Sequence, residues 1–208
     1  MILIRYSKLK GAEFIPHLDT LRHLAKILRR AGVNVKYSNG FNPHILIFMS
    51  SPIALGLKSE SEYCLIDTDD NAENFKETFN KYSLKGIRCE EVWQTEKKAK
   101  VASDITSATY EITGVNHFDV NKFLKATSFV VTDKHSNEKE VRDKIIDLYF
   151  ENETLIAKLK FGNDTLRPDY LAQKLKEIYG GNAISIIKKS VNFNNDLDTA
   201  TYLKTLNS

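Results

Sequence analysis

Residues 2–32 read "ILIRYSKLKGAEFIPHLDTLRHLAKILRRAG" and place two different apolar patterns one after the other. The short apolar run from Ile2 to Tyr6 is typical of a buried strand. From Pro16 to Ala31 the apolar residues instead recur at helical spacing, at Leu18, Leu21, Leu24, Ala25 and Leu28. Pro16 suits the start of a helix, and Gly32 suits the position just after its end. A strand followed by an amphipathic helix indicates a sheet on which helices pack.

The remaining patterns extend this unit into a recognisable order. Strand patterns follow at 33–38, 61–68 and 86–95, an apolar extended segment lies at 45–55, and a helix pattern lies at 69–82. This order, β-α-β-β-α-β, is that of a ferredoxin-like fold. A similar order continues after residue 104, with a hairpin turn at "ENE" (151–153) and a helix that ends at Gly180. We predict an α+β protein of two ferredoxin-like (βαββαβ) halves, with antiparallel sheets and helices on one face.

The same patterns predict where the domains begin and end. The first domain covers residues 1–98 and carries the "HLD" and "GFNPH" motifs, and the second covers residues 104–195. The polar, lysine-rich segment 96–104 is the predicted linker. Residues 196–208 lack a strong pattern, so a frayed tail or a short terminal helix is expected.

Composition limits the class of protein. The chain has 208 residues, of which 42% are hydrophobic and 27% charged, as in ordinary soluble globular proteins. No apolar run approaches the roughly 18–20 residues that a membrane span requires. Cys64 and Cys89 are isolated and lack the spacing of a zinc ribbon, which favours buried thiols in a reducing compartment. We therefore expect a cytoplasmic protein with no membrane partner.

Positive charge is concentrated at the start of the chain. Residues 1–36 contain eight lysines and arginines against two acidic residues, whereas the whole chain has a net charge of only +3. Four of these cations recur on one face of the predicted helix, at Arg22, Lys26, Arg29 and Arg30. Such a face is typical of proteins that bind phosphates of a nucleic acid. The alternative is the ordinary solvated face of a helix that packs on a sheet.

The stretch "YSNGFNPH" (37–44) predicts a shaped loop beside this helix. Gly40 suits a positive φ, Pro43 stiffens the chain, and the Asn42 and His44 side chains can bond backbone groups of the loop, which also contains Asn39. Tyr37 and Phe41 could stack on bases of a single strand, or could belong to the core. We favour a recognition role over a purely structural one.

Histidines and an aspartate near the helix start offer a second kind of site. Asp19 and His23 are four residues apart and share one helix face. With His17 and His44 they could act as general acid and base on RNA, or could hold a metal. The alternative is structural: Asp19 would favour the helix dipole, His17 would cap the first turn, and His23 would be a surface residue.

Several blocks together resemble the radical SAM-linked protein family, a bacterial domain of unknown function. They are "RYSK" (5–8), "FIPHLDTLRHLAKILRRAG" (14–32), "YSNGFNPH" (37–44), "SPIALGLKSESEY" (51–63) and, more weakly, "LRPDYLAQKL" (166–175). Members of that family occur free-standing or joined to the C-terminus of a radical SAM protein. The resemblance implies a radical SAM protein as a partner, and it supplies no established catalytic residues.

The cysteine count argues that this chain does not carry out the radical SAM reaction itself. Radical SAM enzymes hold their iron–sulfur cluster with three closely spaced cysteines, whereas Cys64 and Cys89 are far apart in sequence. We therefore expect no cofactor and a protein that is not an enzyme on its own. The leading hypothesis is an accessory module that recognises RNA or a ribonucleoprotein for a radical SAM partner. The alternatives are a ferredoxin-like RNA-processing enzyme that uses the His/Asp cluster, and a metal-binding or small-ligand-binding protein.

Overall fold

The computed structural model describes residues 1–162 and 165–208. The strands are β1 (Ile2–Lys8), β2 (Ile47–Met49), β3 (Lys58–Ile66), β4 (Ile87–Gln94), β5 (Ile105–Thr113), β6 (Val130–Thr132), β7 (Glu138–Glu140), β8 (Ile145–Glu151), β9 (Thr154–Lys160) and β10 (Ser185–Phe193). The helices are α1 (His17–Arg30), α2 (Phe75–Tyr82), α3 (Val101–Asp104), α4 (Val120–Leu124), α5 (Pro168–Tyr179) and α6 (Thr199–Asn207). No helix within the two described ranges is long and apolar enough to cross a membrane.

One large sheet joins the two halves of the chain. Its strand order is β4-β1-β3-β10-β5-β9-β8, and β2 pairs with β3 as the eighth strand. All pairings are antiparallel except the short one between β10 and β3, where Lys188 lies opposite Ser59. The expectation of an α+β protein is confirmed in the form of one large, mostly antiparallel sheet with helices packed on it.

The prediction that helices cover only one face is wrong. Along β1, Ile2 and Ile4 contact the core beneath α1 and α2, whereas Leu3 belongs to the core that contains Val101 of α3 and Tyr202 of α6. Successive strand residues point to opposite faces, so these two cores lie on opposite sides of the sheet. Both faces of the sheet must be covered at β1, because Ile2, Leu3 and Ile4 are all fully buried.

The predicted linker 96–104 is more ordered than its composition indicates, since it buries Ala99 and Val101 and forms α3. For residues 196–208 the alternative of a short terminal helix is confirmed as α6, which follows the N-cap Asp198 and buries Tyr202 and Leu203. The division into domains at residues 98 and 104 stays a prediction.

Candidate functional site

The basic face of α1 is exposed as the sequence predicts. Thr20, Leu24, Ile27 and Leu28 are buried, and this directs Arg22, Lys26, Arg29 and Arg30 toward solvent. Arg22 forms an ion pair with Asp19, with 2.8 Å between Nη1 and Oδ1. Within residues 1–162 and 165–208, the other three cations have no ion-pair partner. Their charges are therefore available to an anionic ligand.

The loop at residues 38–44 is closed by contacts between its two ends. The Ser38 amide donates to the His44 carbonyl at 2.9 Å, and the His44 amide donates to the Ser38 hydroxyl at 3.1 Å. The same hydroxyl lies 2.9 Å from Nδ1 of the His44 ring. Gly40 has a φ of 118°, as predicted, and Phe41 at the tip is fully exposed. These contacts fix the loop while leaving its aromatic tip free.

A groove of about 400 Å³ lies between α1 and the segment that leaves this loop. Arg22, Lys26, Arg29 and His44 supply its polar groups, and its apolar lining consists of Leu21, Ala25, Ile45 and Ile47. Tyr37 at the base of the loop is about half exposed, so neither predicted aromatic belongs to the core. The structure thus brings three cations of the predicted helix face and His44 of the predicted loop together. We name these four residues, with the exposed Arg30 of the same helix and the exposed Tyr37 and Phe41 of the same loop, the basic groove.

The His/Asp cluster considered above is not assembled. His44 lies in the basic groove, and His17 lines a different cavity at the start of α1. His23 Nε2 accepts a hydrogen bond from the Leu84 amide at 3.1 Å, which connects α1 to the loop after α2. Among the described residues there is no group of three or more histidines, cysteines or carboxylates arranged to hold a metal. His17 does not cap the helix, because the N-cap position is Pro16.

The environment of His23 disfavours its charged form. Burial lowers the pKa of its imidazole, and the neighbouring cations Lys26 and Arg30 lower it further. A neutral ring keeps Nε2 available as the acceptor for the Leu84 amide. The contact therefore gives His23 a structural role.

Sequence reasoning missed a buried polar cluster on the sheet. Tyr6, Lys8 and Glu62 are each at most 5% exposed, and all three line a cavity of about 250 Å³ beside His17. Lys188 of β10 is completely buried, with Nζ 2.6 Å from Glu62 Oε1 and 4.7 Å from the centre of the Phe161 ring. The Lys188–Glu62 contact is an ion pair by distance, but its angles do not make a hydrogen bond. Each of these charges lies near a second one in its own strand, Glu60 and Lys189, so the sequence carries no signal that Glu62 and Lys188 are the buried ones.

Burial also shifts the titration of this cluster. It lowers the pKa of Lys8, an effect that the charges of Glu62 and Glu13 oppose. The Lys8 ammonium donates to the Ile15 carbonyl at 2.6 Å. The pKa of Tyr6 is raised well above its usual value by burial and by the Glu62 charge, so its hydroxyl stays protonated. The cavity therefore presents a cation, a hydroxyl and a carboxylate to whatever enters it.

Comparison with known proteins places the chain in a family. No curated protein matches the sequence. A crystal structure of an unknown protein from Galdieria sulphuraria is 11% identical and has a TM-score of 0.27, with 90% of this chain and 96% of that chain covered. A family model described as "Uncharacterized protein conserved in bacteria" (DUF2344) matches residues 1–173. Because this match spans most of the chain, the protein belongs to that family of uncharacterized proteins conserved in bacteria.

Proposed function

We propose that the protein is a binding module that recognises single-stranded RNA through the basic groove. The observation that carries this proposal is the fully exposed Phe41 on the loop whose last residue, His44, lines a groove together with Arg22, Lys26 and Arg29. Arginine and lysine neutralise phosphates, and an exposed aromatic ring stacks on unpaired bases. Duplex RNA offers fewer accessible base faces, so the single strand is the preferred ligand.

In the proposed complex each residue has a role. Lys26, Arg29 and Arg30 contact successive phosphates, and Arg22 does so while sharing its charge with Asp19. Phe41 and Tyr37 stack on bases, and the apolar lining at Ile45 and Ile47 accommodates further base surface. The Ser38 hydroxyl orients the His44 ring through Nδ1. The other ring nitrogen, Nε2, forms a hydrogen bond with the RNA, as donor or as acceptor.

The test is the anisotropy of a fluorescent single-stranded RNA titrated with the full-length protein at several salt concentrations. Each phosphate contact on a single strand contributes roughly −0.7 to the slope of log affinity against log salt. The variant Arg29→Glu/Arg30→Glu should weaken binding and reduce the magnitude of this slope by about 1.4. Gel analysis of the RNA after the titration shows whether it stays intact, as a pure binding role requires.

A matched control reverses the same amount of charge elsewhere. Lys122 and Lys125 are exposed on and just after α4, in the other half of the protein. Lys122→Glu/Lys125→Glu should leave affinity and salt slope near the unmodified values. Equal weakening by both double variants would mean that only net charge matters, and the groove would not be the site. No binding at low salt would remove RNA from consideration.

We further propose that the protein consists of two ferredoxin-like halves and works with a radical SAM partner. The order β4-β1-β3-β2 in the first half and β10-β5-β9-β8 in the second supports two ferredoxin-like halves fused through one sheet. The sequence resemblance supports a radical SAM protein as the partner that modifies the bound RNA or ribonucleoprotein. Size-exclusion chromatography of the chain mixed with its candidate radical SAM partner, with and without RNA, tests that partnership. Separate elution under both conditions would contradict it.

A further inference from the structure

The cavity above the buried polar cluster is separate from the basic groove. Its floor is formed by Tyr6, Lys8 and Glu62, and its apolar side includes Ile53 and Leu55. At about 250 Å³ it is smaller than the pockets that hold drug-sized ligands. It therefore suits a small molecule with a few polar groups at one end.

Two polar groups in this cavity lack a partner. The Tyr6 side chain is 2% exposed, and no described residue offers its hydroxyl a hydrogen bond. Glu62 directs Oε1 to Lys188, whereas Oε2 has no hydrogen-bond partner in the described parts of the chain. Neither atom is among the fully buried ones without a partner, so both are accessible to a ligand or water in the cavity, which is the expected partner.

The first turn of α1 supplies further donors. Pro16 and His17 border the cavity, and no side chain caps the helix start. The first backbone N–H groups of a helix have no partner within the helix and carry partial positive charge. With Lys8 they supply positive charge to the cavity, and Glu62 supplies a carboxylate to it.

The charges of this region balance. Lys8 and Lys188 are matched by Glu62 and by Glu13, whose charge acts on Lys8. A ligand with an excess of either charge would leave a buried charge uncompensated, which is unfavourable. A ligand without charged groups would leave Glu62 Oε2 and the remaining N–H groups of the Lys8 ammonium without a charged partner in the cavity. The matching ligand carries one charge of each sign.

We propose that this cavity binds a small zwitterion of the class of free α-amino acids with a short apolar side chain. The ligand's carboxylate contacts Lys8 and the first turn of α1, and its ammonium group contacts Glu62. Its side chain packs against Ile53 and Leu55. This site does not depend on the RNA-binding proposal, since no residue of the basic groove lines the cavity.

The test is isothermal titration calorimetry of the full-length protein with L-valine, L-leucine and L-methionine. At least one should bind with a stoichiometry of one per chain. For L-leucine, the matched analogues are 4-methylpentanoate, which lacks the ammonium group, and leucinamide, which lacks the carboxylate. Each analogue should bind about tenfold more weakly or worse, because each loses a charged hydrogen-bonding group.

A blocking variant locates the site without disturbing the buried cluster. Leu55 is 62% exposed at the cavity, so Leu55→Trp should obstruct it and abolish binding while the unfolding midpoint stays unchanged. Leu84 is 51% exposed and lies outside the cavity, so Leu84→Trp should keep full binding. Arg29→Glu/Arg30→Glu should also bind the amino acid normally, which distinguishes this site from the basic groove.

Three results would overturn the proposal. They are an absence of binding by all three amino acids at millimolar concentration, equal binding of 4-methylpentanoate and leucine, and unchanged binding by Leu55→Trp.

Discussion

Replacing Lys188 by methionine should destabilise the protein by about 3–5 kcal/mol, because the substitution leaves the Glu62 carboxylate buried without its cation. The two side chains are 0% and 4% exposed, and Nζ lies 2.6 Å from Oε1. Methionine keeps a long apolar chain in place of the lysine stem, so little packing is lost. The expected cost is therefore mainly that of the unpaired charge.

The neighbouring residue provides a matched control. Lys189 also forms an ion pair, with Nζ 2.7 Å from Glu60 Oε2, but both side chains are about one-third exposed. Lys189→Met should cost at most about 1 kcal/mol, because water screens the pair and solvates the carboxylate left behind. The two variants make the same chemical change at adjacent positions and at nearly equal distances. Their difference measures the effect of burial.

The assay is urea denaturation followed by the fluorescence of Trp93, the single tryptophan, which stacks on Tyr63. With a slope of roughly 2–3 kcal/mol per molar urea, the Lys188 variant should unfold about 1–2 M earlier. The double variant Lys188→Met/Glu62→Leu should recover much of the loss, because it removes both buried charges. Equal costs for Lys188→Met and Lys189→Met, or additive losses in the double variant, would refute the reasoning.

Three further predictions concern exposure and titration. Phe41→Ala should change the free energy of unfolding by less than about 0.5 kcal/mol, because the exposed ring packs on nothing. The same variant should weaken RNA binding by about 1–3 kcal/mol in the anisotropy titration. A marked loss of stability would show that the ring is not free. Because the pKa of His23 is lowered in the folded protein, the unfolded state takes up its proton first and stability falls as pH drops through about 6.5. His23→Gln should show a smaller fall between pH 7.5 and 5.5 in urea midpoints, and an identical fall would contradict the His23–Leu84 contact as its cause. Burial raises the pKa of the Cys89 thiol to about 12 and also raises the pKa of the Cys64 thiol. Neither thiol should therefore react with a thiol reagent at pH 8 until urea unfolds the chain. Rapid reaction of the native protein would show that the thiols are accessible.

Local patterns were sufficient for the elements that carry the basic groove. The helix predicted over residues 16–31 is α1 at His17–Arg30, because apolar residues at helical spacing need only one buried face to fold this way. The exposure of Arg29 and Arg30 follows from the same spacing, because both lie away from the buried face. The positive φ of Gly40 also follows locally, since a tight loop needs a residue without a side chain.

Weaker local patterns were misjudged. The strand predicted at 33–38 is reduced to isolated bridges at Val35 and Tyr37, and the helix predicted from residue 69 begins only at Phe75. The three residues of β2 lie within the longer predicted segment 45–55. Short elements of this kind depend on their neighbours in the sheet more than on their own composition.

The α+β class, the amphipathic α1 with its cationic face and the shaped loop before Ile45 can be predicted from local sequence, because these features depend on spacing within a few residues. The pairing of β10 with β3, which merges the two halves into one sheet, is visible only in the folded protein. That pairing joins strands far apart in the chain, and it places Lys188 against Glu62 and completes the cluster beside the cavity. Charges of this kind look like surface residues in the sequence, since their burial depends on which distant strands and helices pack around them.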